Sequence, residues 1–255
     1  MVAFQEHEGG WRPLPATQLQ RRLILEHTPK DRQRALHADI AAIFQSEPTQ
    51  NSTASLLAYH NFKAGRLEQA SQTALSGARQ LINEHQFERA RQLVDIARDS
   101  HAAMGDVASL YAELHRLWGS YREGIVRLET LLSNDLEEAT TLEIRLHMAE
   151  LAFRDASYDD AIKEAEAAGT SANRTLVGRS LALIARSHFY LGNYDEARSV
   201  GERGMVEAKP ESREMALCAV MVGLVRVYQG KLQQGLKYLE RARTILDKAG
   251  AGSEV

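Results

Sequence analysis

Nine histidines, one cysteine and 34 carboxylates are the side chains of this chain that could bind a metal or attack a substrate. Their spacing argues against both. No histidine pair forms H-E-x-x-H or another tight ligand cluster, and no cysteine stands beside one. Cys218 lies in the apolar run Met215-Ala216-Leu217-Cys218-Ala219-Val220, where it reads as a small hydrophobe. The carboxylate pairs Glu137-Glu138 and Asp159-Asp160 fall where helices begin, and negative charge there complements the helix dipole. G-x-S-x-G and G-x-G-x-x-G are absent. A phosphate-binding G-x-x-x-x-G-K-[ST] is absent too; Gly223 to Gly230-Lys231 has six residues between its glycines and a leucine after the lysine. We therefore expect no enzymatic activity, and no catalytic, cofactor-binding or metal-binding residues.

Charge narrows the partners. The formal balance is −3, from 31 basic and 34 acidic residues, which gives no global pull toward nucleic acid or an anionic membrane. In the most basic segment Arg21, Arg22, Lys30, Arg32 and Arg34 are interleaved with Glu26, Asp31 and Asp39, and no aromatic residues offer bases a stacking surface. Nucleic acid is not an expected partner. The longest nearly continuous apolar run, Met215 to Val225, is 11 residues against the ~20 a membrane helix needs. The start, MVAFQEHEGG, shows neither a basic nor an apolar signal region, and a single cysteine suits a reducing compartment. A cytoplasmic location without a membrane partner is expected.

The elements that must present any site are helical. The chain has 36 Ala and 31 Leu against 12 Val and 10 Ile, and residues 49–209 contain no proline. One pattern recurs along it: a small or turn residue, any residue, an aromatic or leucine, two residues, then alanine or glycine. It reads Gly65-x-Leu67-x-x-Ala70, His85-x-Phe87-x-x-Ala90 and Gly119-x-Tyr121-x-x-Gly124, then Ala156-x-Tyr158-x-x-Ala161, Gly192-x-Tyr194-x-x-Ala197 and Gly230-x-Leu232-x-x-Gly235. The closing small residues are 20, 34, 37, 36 and 38 residues apart, and the last four spacings are those of a helix-hairpin repeat. In each copy the first residue ends one helix in a left-handed conformation, the aromatic or leucine fills the joint, and the small residue lets the next helix come close. Tyr158 and Tyr194 are expected to be largely buried between the two helices they join.

This turn and small residue resemble the tetratricopeptide repeat (TPR), although most of that family's Trp, Gly and Pro positions differ. The resemblance implies an all-α, TPR-like right-handed α-solenoid of stacked helix hairpins. With the closing small residue as the twentieth repeat position, the family's concave face takes the second, fifth, ninth, twelfth and thirteenth residues of each first helix. From these we select Glu113, Arg116, Glu150, Phe153, Arg154, Arg186, Phe189 and Tyr190 as the residues that would bind a partner protein or peptide, because arginine beside an aromatic can clamp one. In the last repeat the same positions are Leu217, Val220, Leu224, Val227 and Tyr228. They are apolar, and with Met215, Met221 and Val225 they spread around more of their helix than one buried stripe requires, so the end is expected to be uncovered and to form an interface, with a second copy as one occupant.

A second resemblance covers residues 16–101. Pro29-Lys30-Asp31-Arg32, Leu36-His37 and Ile40-Ala41 are followed by Leu57-Ala58-x-His60-x-x-x-Ala64-Gly65 and Phe87-x-x-Ala90. This order resembles the stretch that joins the winged-helix end of a STAND-type signalling ATPase to its TPR array, as in large bacterial LuxR-like regulators. It implies a sensing or partner-binding part of a signalling or transcriptional regulator, carried either on a larger ATPase-containing chain or on a short relative without the motor. The alternative is an oligomerisation scaffold or accessory subunit with no ligand of its own. The expected segments are a flexible 1–15, a helical 16–50, a repeat array over 51–249 and a flexible tail at 250–255.

Overall fold

The structure is a computed structural model that describes residues 4–7, 10–13, 26–46, 53–132 and 135–248. The expected tail at 250–255 lies outside these residues. The helices described end to end are α1 Lys30–Ser46, α2 Thr53–Ala64, α3 Leu67–Asn83, α4 Phe87–Asp99, α5 Met104–Trp118 and α6 Tyr121–Leu132. They continue with α7 Glu138–Arg154, α8 Tyr158–Ala168, α9 Arg174–Tyr190, α10 Tyr194–Glu207, α11 Arg213–Tyr228 and α12 Leu232–Lys248. The fold is all-α apart from one short antiparallel pair near the N-terminus, β1 Phe4–His7 with β2 Gly10–Pro13, in which Phe4 faces Pro13 and His7 faces Gly10. Composition gave no signal for that pair, and the sequence reading has only a flexible segment there.

Two compact units divide the chain, Met1–Gly77 with Asp95–Ala102, and Ala78–Val94 with Ala103–Val255. In the first, α1 packs on α2. Ala41 and Ala58 are wholly buried. His37 and His60 bridge the two helices, Nδ1 to Nδ1 at 2.8 Å, with Tyr59 and Phe44 around them. Such a bond needs one ring to donate and the other to accept, so both histidines are neutral or one alone is charged.

In the second unit the hairpins α5–α6, α7–α8, α9–α10 and α11–α12 stack, with the first helices α5, α7, α9 and α11 side by side. The recurring pattern builds each joint. Its opening residues His85, Gly119, Ala156, Gly192 and Gly230, like Gly65 in the first unit, all have φ between 57° and 81°. At Gly192 the N–H donates to Phe189 O and the next N–H to His188 O, which closes α9 with a Schellman motif. His85 and Ala156 accept the same conformation despite their side chains, so the turn is imposed by the packing around it. The closing residues Ala70, Ala90, Ala161 and Ala197 have no exposed surface. Asp159 and Asp160 in α8, and Asp195 and Glu196 in α10, occupy first turns as the dipole favours.

Two expectations need correction. Tyr158 and Tyr194 are half-buried rather than enclosed. Each packs between successive hairpins: Tyr158 stacks on Tyr190 with ring centroids 5.5 Å apart, and Tyr194 lies 5.6 Å from Tyr228. The second correction concerns α11, whose apolar residues spread around its circumference because the helix has neighbours on three sides, α9, α10 and α12. Met215, Met221 and Val225 are buried, and Cys218 joins Leu181 and Ala182 of α9. The spread therefore reflects burial more than an uncovered end.

Candidate binding groove

The first helices of the second unit enclose a groove of about 870 Å³. Their neighbouring positions recur at the repeat spacing, so residues far apart in the chain line up across it. Arg116 comes from α5, and Glu150, Phe153 and Arg154 come from α7. The α9 wall brings Arg179, Arg186, Phe189 and Tyr190, and the α11 wall brings Leu217, Val220, Met221 and Leu224. Arg213 and Glu214 also line it, from the start of α11.

Of the residues expected to bind a partner, all but Glu113 stand in this wall; Glu113 is half-buried on α5 outside it. Leu217, Val220 and Leu224, expected at an end interface, are half-buried and belong to the same groove. Val227 does not line it. Its Cγ2 lies where a side chain on Gly235 would begin, so it serves the α11–α12 joint. Tyr228 is exposed and its ring meets Phe189 edge-on at 5.1 Å.

The polar groups of the wall are partly neutralised from within. Arg179 donates to Glu150 at 2.8 Å, and His147 Nδ1 stands 3.8 Å from the same carboxylate. Burial pushes the Glu150 carboxyl up, but the hydrogen bonds and charges of His147 and Arg179 outweigh it and hold the group at about 2. Arg186 sets its guanidinium 4.2 Å from the Phe153 ring centroid. A cation–π contact of this kind does not consume the N–H donors, so the guanidinium can still bind a carboxylate. Phe153 also meets Tyr158 and Tyr190, at 5.4 and 5.5 Å, so the ring under Arg186 is held by two others.

The repeat register puts Arg179 on the concave face, but it is not among the selected binding residues, and sequence reading does not foresee its pairing with Glu150, 29 residues away. Sequence reading also passes over Arg174, which donates to the carbonyls of Val206, Glu207 and Ala208 and so closes the end of α10. Both partnerships are non-local; Glu150 and Arg179 hold the ninth and second positions of successive repeats, and only their common place on the concave face could have suggested one of them. Cys218 is buried, its thiol 3.9 Å from Gly178 O, and burial pushes its ionisation up to about 12. At ordinary pH it is a neutral core group. Among the described residues, no three His, Cys, Asp or Glu side chains gather as a metal site, and no helix is long and apolar enough to cross a membrane.

No protein-family model matches the chain, and no curated protein matches its sequence. Solved structures do match its fold. The crystal structure of MamA aligns at 16% identity with a TM-score of 0.52, over 72% of this chain and 96% of MamA. A putative kinesin light chain of nearly identical TPR-like repeats from Podosopora anserina aligns at 17% identity and 0.54, over 73% of this chain and 97% of that one. The apo form of RapI aligns at 12% and 0.57, over 89% and 74%. The chain is a TPR-like helical repeat array. At these identities the likeness is one of fold.

Proposed function

We propose that the chain is a non-catalytic binding module that holds a protein or peptide segment in the groove of its second unit. The observation that carries this reading is the wall itself: apolar side chains from α11 face arginines and aromatic rings from α5, α7 and α9 around about 870 Å³. A surface with an apolar floor and a few directed polar groups is what a bound segment needs. The resemblance of residues 16–101 to the region before the repeats of STAND-type regulators supports a regulatory setting, in which the bound segment biases a signalling or transcriptional output.

The test is retention of a partner by the intact chain, compared with Arg186→Glu in the groove and Arg203→Glu on α10 as a control outside it. Loss with the first change and retention with the second supports the reading. Equal retention by all three proteins overturns it.

A second reading, a scaffold that self-associates through its last hairpin, draws on Tyr228 and Leu232, which are 65% and 53% exposed. Light scattering tests it: mass growing with concentration, and restored to the monomer by Leu232→Glu, supports the scaffold. A monomer at every concentration excludes self-association.

A further inference from the structure

We infer that the segment held by this groove is acidic and carries a large apolar side chain, so that its carboxylates meet arginines on the α5–α9 side and its apolar group rests on α11. The inference depends on the groove being the binding surface and adds the chemistry of the occupant.

The charge of the wall carries the first half. Five arginines line it against two glutamates, on a chain whose formal charge is −3. The groove is thus a basic site on an acidic protein. Its arginines are not equivalent. Arg179 is engaged by Glu150 at 2.8 Å. Among the described residues, Arg116, Arg154 and Arg186 make no ion pair, and Arg186 has the Phe153 ring as its partner. These three come from consecutive first helices, α5, α7 and α9, so they follow one another across the groove. An unpaired guanidinium in a walled groove attracts carboxylates more strongly than one on an open surface, because the apolar walls displace water. Arg186, held over the Phe153 ring, carries a guanidinium fork of the kind that fits a carboxylate with two parallel hydrogen bonds.

The second half rests on α11. Leu217, Val220 and Leu224 lie at helical spacing along the opposite wall and remain partly exposed after the chain has folded. Covering them with an apolar side chain adds binding free energy that carboxylates alone do not supply. A nucleic-acid backbone suits the site less well, since it would set phosphates along the apolar wall and beside Glu214.

The experiment is a selection from a random twelve-residue peptide library with the intact chain as bait, followed by affinity measurement on the selected peptides. We expect enrichment of Asp and Glu together with Leu, Ile or Phe. Arg154→Glu with Arg186→Glu should weaken the selected peptides about tenfold or more, and raising salt should weaken them further. Leu224→Ser should weaken them without changing the salt dependence. Arg154 and Arg186 are exposed, so an unchanged circular dichroism spectrum is expected and separates lost binding from lost structure. Selected peptides that are neutral or basic, sensitive to Leu224→Ser and indifferent to the arginine changes, overturn the acidic occupant while leaving the groove as the binding surface. Peptides indifferent to both changes overturn the inference and the groove reading together.

Discussion

Replacing Gly235 with alanine adds one methyl group at the closest approach of α11 and α12. On sequence grounds the change should help. Gly235 sits inside a helix, where alanine is favoured by about 1 kcal/mol, and four other copies of the repeat pattern carry alanine at this position. The packing says the opposite. A Cβ built on Gly235 lies 2.6 Å from Val227 Cγ2, 2.7 Å from the Gly223 carbonyl oxygen and 3.1 Å from the Val227 nitrogen. Carbon–oxygen contacts settle at about 3.3 to 3.6 Å, so α12 must withdraw by roughly half an ångström or more. Two of the three obstacles are backbone atoms of α11 and cannot turn aside. The crossing is reciprocal, since a Cβ on Gly223 would lie 2.8 Å from Leu239 Cγ. Overpacking of this kind costs about 1 to 3 kcal/mol, which exceeds the propensity gain. With two backbone obstacles the cost lies toward the upper end of that range, so after the propensity gain Gly235→Ala should destabilise the unit by about 1 to 2 kcal/mol and lower the urea midpoint. Gln234→Ala, on the exposed face one residue away, should stay within about 0.5 kcal/mol of wild type. A Gly235→Ala midpoint equal to or above wild type would refute the reasoning, because propensity alone would then govern the site.

Tyr194→Ala should cost about 2 kcal/mol, below the range for a fully enclosed aromatic, because the ring is half-buried against Phe189 and Tyr228; a loss above about 4 kcal/mol in chemical denaturation would contradict that geometry. Acidification should loosen α1 from α2. Burial, with Lys63 near His37 and His37 near His60, lowers both histidines below the ordinary 6.5, so their contribution is complete above that pH and is lost as pH falls through it. Protection of the α1 and α2 amides, corrected for the intrinsic pH dependence of exchange, should fall as pH drops below about 6.5, and His60→Phe should flatten the response; an unaltered response in that variant would point to other groups. Cys218 should resist maleimide at pH 8 until the chain unfolds, and its contribution to stability, complete below about 9, should fade as pH rises toward about 12. Rapid labelling of the folded chain would show that the thiol is not enclosed.

The repeat was legible because its two defining positions obey local rules. A residue forced to positive φ and a residue with no room for a large side chain leave marks in the sequence wherever they recur, even where His85 and Ala156 take the place of glycine. The candidate groove was legible for the same reason: a constant offset between repeats puts Arg116, Phe153 and Phe189 in equivalent places, and the next residues Arg154 and Tyr190 beside them. What escaped was set by partners distant in sequence. The engagement of Glu150 by Arg179 and the closing of α10 by Arg174 depend on how hairpins stack. The exposure of Tyr158 and Tyr194 depends on the neighbouring hairpin. The apolar circumference of α11 resembled an open end because a helix packed on several sides and a helix awaiting a partner share one composition.

The groove is tested most directly by amide hydrogen exchange of the intact chain with and without a tightly bound library-selected peptide. Binding there should slow exchange around residues 150–154 of α7, 186–190 of α9 and 217–224 of α11, and leave α8 and α10 unchanged. Slowing confined to α8 and α10, with no change in α7, α9 or α11, would contradict it.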